Sequence, residues 1–195
     1  MNITMPIELY TDGSCLKNPG AGGLSYIIRY WTEPEGSDLP KPEVIEGNQG
    51  YRLTTNNRME ILAGITGVRK IIDLIKDGTF QNVSKIDIYS DSEYFCNAVN
   101  QRWIDKWQEN NWMTSGFRGS QPQPVKNKDL WEQVIGFKKE LQDLSINLTM
   151  THIDGHSGHE FNERADKLAV EASHNSTNHL IDQIYEQTTM VMNRR

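Results

Sequence analysis

Two short segments of the chain copy each other. IELYTDGS (7–14) and IDIYSDSE (86–93) both run isoleucine, acid, aliphatic, tyrosine, hydroxyl, aspartate. The alternation is that of a strand, with the tyrosine and the aspartate on one side. Between the copies lies a helical stripe, Ile61, Leu62, Ile65, Val68, Ile72 and Ile75, at spacings of three and four. Like strands separated by a helix fit a right-handed crossover between parallel neighbours. Neighbouring strands lie about 4.8 Å apart, so Asp12 and Asp91 would stand side by side at the strand ends. Ligand sites of open α/β sheets sit at those carboxyl ends.

The remaining segments fill in an α/β domain. LSYIIRYW reads as a strand after the glycine-rich turn GSCLKNPGAGG, and VIEGNQGYRL as a weaker third strand. Helical or irregular sequence over 92–125 carries Trp103, Trp107 and Trp112. A helix starts near Asn127 with Leu130, Val134, Phe137 and Leu141 on one face. INLTMTHI is a fifth strand, and 160–173 a helix with a stripe of Ala165, Leu168, Ala169 and Ala172. Strands, helix, strand, helices, strand, helix describe a mixed sheet in an α/β domain over 1–174. The tail 175–195 shows no core-like pattern beyond Leu180, Ile181 and Ile184, and is expected to be a short helix or disordered.

The chain has 195 residues and a formal net charge of −6. No apolar run approaches the roughly 20 residues of a membrane span, and MNITMPIELY has no signal pattern. Two cysteines, Cys15 and Cys96, cannot make a disulfide framework, which points to a reducing, cytoplasmic setting. The net charge argues against a surface coated in positive charge but leaves room for a local basic patch.

Each aspartate of the pair could simply start a turn. Close carboxylates, though, repel unless a proton or cation intervenes, and oxygen-only ligation favours Mg²⁺ or Mn²⁺ over zinc. Glu60, at the start of the long helix, and Asp166, beside Ala165 and Ala169, also border the core at element ends. The stretch HIDGHSGHEFNERADKLAVEA (152–172) on its own permits a zinc site, a magnesium site or a helix with a polar start. Zinc would require His152, His156 and His159 to converge from a strand, a loop and a helix start. His159 reads as a structural residue at that start, with Asn162 and Glu163 aiding the first turn.

YTDGS with NPGAGG (10–23), TTNNRMEILAGI (54–65), YSDSEY (89–94) and GHSGHEFNERADKLA (155–169) resemble type 1 ribonuclease H in order and spacing, over about residues 5–174. PVKNKDLW (124–131) resembles that family too. The resemblance implies a ribonuclease H-like fold: five strands, three antiparallel and two parallel, with helices on both faces. It implies sequence-nonspecific hydrolysis of the RNA strand of RNA–DNA hybrids, leaving 5′-phosphate and 3′-hydroxyl ends. It further implies two Mg²⁺ ions, with Mn²⁺ as a substitute, held by Asp12, Glu60, Asp91 and Asp166, and a helper histidine at His156. Cys15, Asn18, Thr55, Asn56 and Asn57 match positions facing the hybrid. Trp103, Lys126 and Lys128 lie in the segment matching the family's basic handle. A monomer without a separate N-terminal hybrid-binding domain is expected.

The chain departs from the family's bacterial pattern in four places. Over 102–128 five basic residues (Arg102, Lys106, Arg118, Lys126, Lys128) face two acidic ones (Asp105, Glu109), a net of +3. So thin a handle implies weaker binding. Glu93 stands where many relatives carry glutamine, and Asp154 where a basic residue is common. The 32–43 loop is long. Three other readings compete: a hybrid-binding scaffold of the same fold, a related resolvase or 3′-exonuclease, and an unrelated phosphatase-like enzyme. The last lacks a phosphate-cradling glycine loop.

Overall fold

A computed structural model describes residues 1–3, 5–32, 41–116, 121–155 and 158–192. His156 and most of the 32–43 loop lie outside the described residues, as does Arg118. Strand β1 (Ile7–Cys15) pairs antiparallel with β2 (Gly20–Trp31), which pairs antiparallel with β3 (Pro42–Thr54). Helix α1 (Asn56–Lys76) then returns the chain to β4 (Lys85–Ser90), parallel to β1. Helices α2 (Glu93–Asn100), α3 (Trp103–Glu109) and α4 (Lys128–Asp143) precede β5 (Asn147–His152), parallel to β4. Helix α5 (Glu160–His174), a 3-10 turn at Ser176–Asn178 and α6 (Gln183–Met192) follow. The sheet order is β3-β2-β1-β4-β5, so the mixed five-stranded sheet expected from the sequence is the one observed.

Strand alternation sorts side chains between the two faces. Ile7 and Leu9 of β1, with Ile86 and Ile88 of β4, are fully buried in the cluster that includes Ile61, Ile65, Val68 and Ile72 of α1 and Trp131 and Phe137 of α4. On the other face Tyr10 and Ile27 pack with Ala165 and Leu168 of α5. The stripe read from 61–75 is thus the buried face of α1, though Leu62 and Ile75 are only partly covered. Gly13 lets β1 and α1 touch, because a Cβ there would collide with the backbone of Met59 and Glu60.

Trp107 packs against Trp131, ring centroids 5.6 Å apart, and Trp103 leans on Trp107 at 6.1 Å. The tryptophans of the 103–112 segment therefore tie the handle to the core.

The tail is attached through polar groups. Leu180, Ile181 and Ile184, its apolar residues, are about half exposed. Asp182 is buried and takes bidentate hydrogen bonds from Arg58 at 2.6 and 2.8 Å, plus one from the Thr54 hydroxyl at 3.0 Å. Buried Glu186 takes two more from Arg52 at 2.7 and 2.6 Å. Leu180 also bridges to Tyr51 of the β3 edge. Among the described residues no helix is long and apolar enough to cross a membrane.

Candidate active site

Four acids meet at the carboxyl end of the β1–β4 pair. Thr11 and Ser90 are the last register partners of that pair, and the next residue on each chain is Asp12 or Asp91. Tyr10 and Tyr89, two residues earlier, stack with ring centroids 4.9 Å apart on the α5 face. By alternation Asp12 faces that side too. Asp12 is also the register partner of Ser25 on β2. The buried Ser25 hydroxyl donates to the Ala165 carbonyl at 2.7 Å, which fixes α5 so that the next residue, Asp166, comes to Asp12. Glu60 arrives from the first turns of α1 through the close approach at Gly13.

Crowding shows in the acidities. The Asp12 carboxyl is pushed up to about 8, first by burial and then by the negative charges of Asp91, Asp166 and Glu60. Glu60 is pushed up to about 7, chiefly by burial, with Asp91 adding to the shift. Hydrogen bonds to Glu60 oppose it: Ser92 Oγ donates to one carboxylate oxygen and Asn56 Nδ2 to the other at 2.6 Å. Ser92 also caps α2, accepting from the Phe95 N–H at 3.3 Å. Nothing in the sequence reading marked Ser92 as Glu60's partner. The D-S pair of YSDSEY, where a serine precedes a helix, was the available signal.

An all-carboxylate set that repels itself and holds protons near neutrality fits a hard divalent cation. Among the described residues no three His, Cys, Asp or Glu side chains are drawn close enough to ligate one ion. Glu60 is instead turned to Ser92 and Asn56, and Asp12 stands among mutually repelling acids.

Of the three histidines in 152–159, His152 and His159 lie among the described residues. His152 ends β5, with Nε2 3.1 Å from the Asp91 carbonyl. His159 is the N-cap residue of α5 without a side-chain capping bond. Its ring lies 5.1 Å from that of Tyr10, and its buried Nδ1, like Asn162 Oδ1, has no hydrogen-bond partner among the described residues.

The other expected contact residues are divided between the end of β1 and two surface depressions. Cys15 ends β1, its thiol 2.6 Å from the Lys17 carbonyl and made less acidic by burial. Asn18, before a cis Pro19, accepts from the Asn56 N–H at 3.3 Å. A groove of about 690 Å³ is lined by Asn18, Thr55 and Asn57 on one side and Lys126, Asn127 and Lys128 on another, with Ile184, Tyr185 and Thr188 of α6 as a third wall. Lys126 is exposed, and its carbonyl accepts from Trp131 Nε1 at 3.1 Å. Lys128 lies 3.4 Å from Glu132 and 5.5 Å over the Trp112 ring. Trp103 is not among the residues lining this groove. It borders a separate depression with Lys106 and Trp107.

The chain is similar to known proteins over most of its length. The family model for RNase H matches residues 5–174. A ribonuclease H of Treponema denticola is 38% identical over 173 residues, covering 86% of this chain and 97% of its own. A ribonuclease HI of Haemophilus influenzae is 38% identical over 171 residues, covering 88% and 92%. Among solved structures, LC9-RNase H1, a type 1 RNase H with the type 2 active-site motif, is 26% identical and superposes with a TM-score of 0.67, covering 95% of this chain and 81% of its own. LC11-RNase H1 in complex with RNA/DNA hybrid shares the fold at 21% identity and a TM-score of 0.57, covering 88% and 99%. On its motifs, its fold and these matches, the chain belongs to the ribonuclease H family, a family of endoribonucleases.

Proposed function

We propose that the protein hydrolyses the RNA strand of RNA–DNA hybrids without sequence preference, at a site built from Asp12, Glu60, Asp91 and Asp166, and leaves 5′-phosphate and 3′-hydroxyl ends. The observation that carries this reading is the four-acid cluster at the β1–β4 carboxyl ends, where burial and then the charges of Asp91, Asp166 and Glu60 push the Asp12 carboxyl up to about 8. Such a cluster is suited to two Mg²⁺ ions, with Mn²⁺ as a substitute. Bound there, a divalent pair supplies activation of a water and stabilisation of the departing 3′-oxygen.

The chain's own groups do the rest. The four carboxylates hold and neutralise the cations. Ser92 and Asn56 orient Glu60 through its two oxygens. His156, in the glycine-flanked stretch before α5, moves protons near the leaving group. Asn56, Asn57 and Glu60 are placed to read 2′-hydroxyls, the feature that separates RNA from DNA. Cys15, Asn18 and Thr55, together with Lys126, Lys128 and Trp103, contact the backbone and set position without reading bases. The enzyme acts as a cytoplasmic monomer.

The test is cleavage of a labelled RNA–DNA hybrid with and without Mg²⁺, beside single-stranded RNA, duplex RNA and duplex DNA. Metal-dependent cutting of the hybrid's RNA alone, lost in Asp91→Asn, is the expected result. Hybrid binding without cutting would overturn it and make the chain a scaffold of the same fold. His156→Ala should slow turnover and leave measurable activity.

A further inference from the structure

The groove beside the acids has a wall that the ribonuclease motifs do not supply. Helix α6 turns Ile184, Tyr185 and Thr188 toward it, an i, i+1, i+4 set on one helix face. Its acidic neighbours Asp182 and Glu186 lie on the other face, buried in ion pairs with Arg58 and Arg52. The face α6 presents to the groove is therefore uncharged.

That neutrality matters because the groove has little positive charge to spare. Lys128 is paired with Glu132 at 3.4 Å. Arg58 is shared between Asp129 and Asp182. The remaining attraction for an anion comes from exposed Lys126 and from the first turns of α1 and α4. Their N-cap residues, Thr55 and Asn127, line the groove and make no side-chain capping bond. Fixed backbone N–H groups favour an anion placed against them. One further carboxylate on the third wall would oppose that attraction, whereas a hydroxyl keeps it. The Thr188 hydroxyl now donates to the Ile184 carbonyl at 2.8 Å and can rotate to donate outward. The Tyr185 ring lies 5.7 Å from the Arg58 guanidinium, which holds α6 against the start of α1.

We propose that α6 is part of the substrate-binding surface: its Tyr185–Thr188 face lies along the sugar–phosphate backbone of the bound hybrid and sets how tightly the groove holds it. This rests on the hybrid-cleaving reading above. Asp182 and Arg58 act as positioning residues that seat the helix, and Thr188 is the contact.

The test uses the full chain carrying Asp91→Asn, so that a short RNA–DNA hybrid stays uncut, with affinity measured across a salt series. Thr188 is exposed, so charge can be placed there without burying it. Thr188→Lys should tighten binding about three- to tenfold at low salt and steepen the dependence of log Kd on log salt by about one. Thr188→Glu should weaken binding by a similar factor. Gln183→Glu, an exposed position outside the groove lining, should leave it unchanged. Thr188 variants that match the Gln183 variant, while Lys126→Ala with Lys128→Ala still weakens binding, would overturn the role of α6 alone. If the lysine pair also leaves affinity and slope unchanged, the groove is no hybrid site and the wider reading of this surface fails with it.

Discussion

Thr11 of β1 and Ser90 of β4 are partners in the last rung of a parallel ladder, so the backbone delivers Asp12 and Asp91 together one residue later. Parallel neighbours in register leave the two carboxylates no way to separate except by side-chain rotation. Burial first, and then that proximity together with Asp166 and Glu60, raises Asp12.

Neutralising either aspartate should remove catalysis without unfolding the protein. Asp91→Asn and Asp12→Asn are expected to lose about a thousandfold or more in kcat, as an amide binds a hard cation poorly. Both should melt no lower than the parent in the absence of divalent ions, since Asp91→Asn removes a charge that repels its neighbours and Asp12→Asn keeps a buried, protonated group uncharged. A melting temperature several degrees lower would show that the acids support the fold.

The raised carboxyls fix the sign of the pH dependence. A folded-state value above the unfolded one gives stability that is whole below the unfolded value and lost as pH climbs through the folded one. For Asp12 the window runs from about 4 to about 8, and for Glu60 it ends at about 7. The metal-free protein should therefore melt at progressively lower temperature from pH 5 to pH 8, and Mg²⁺ should flatten that decline. Because binding displaces protons, Mg²⁺ affinity should rise up to about tenfold per pH unit below those values. Calorimetry in buffers of different ionisation enthalpy checks the proton release, and none detected between pH 6 and 7 would refute it.

Asp182→Ala tests the tail anchor. Arg58 and Asp182 expose 4% and 5% of their side chains, and removing one member of so buried a pair typically costs about 3–5 kcal/mol. Asp129 retains its own bidentate hold on Arg58 at 2.9 and 2.7 Å, which places the expected loss at the low end. Urea unfolding gives the size, and hydrogen exchange should show α6 amides losing protection first. A change below about 1 kcal/mol would mean that the tail is not seated by this pair.

Gly13→Ala should injure function more than its size suggests. The added methyl meets the backbone at Met59 and Glu60, so α1 must move away from β1. Overpacking of this kind costs about 1–3 kcal/mol, and the displaced group includes Glu60. Stability by thermal melting and kcat at saturating Mg²⁺ should both fall. Unchanged kcat beside a lowered melting temperature would separate Glu60 placement from the contact.

Lys126→Ala with Lys128→Ala should weaken hybrid binding and make it less sensitive to salt. Each lost phosphate contact lowers the salt slope by about one. The Lys128–Glu132 pairing predicts that Lys126 carries the larger share, which the two single variants resolve by affinity measured across a salt series.

Much of this molecule could be read along the chain. Strand alternation at 7–12 and 86–91 and the three-four spacing over 61–75 are local consequences of which side chains must leave water. They carried the sheet, the crossover and the meeting of Asp12 with Asp91. Their residue types, acids at element ends, suggest the chemistry proposed above. Partners without a period did not show in the sequence. Arg58 meets Asp182 across 124 residues and Ser92 meets Glu60 across 32. Such pairings depend on where separate elements come to rest, and no local spacing encodes them. The tail illustrates the difference. Its apolar residues suggested little, and they are in fact exposed. Two buried carboxylates seat it instead, since desolvated acids require the arginines that packing of α1 and β3 places opposite them.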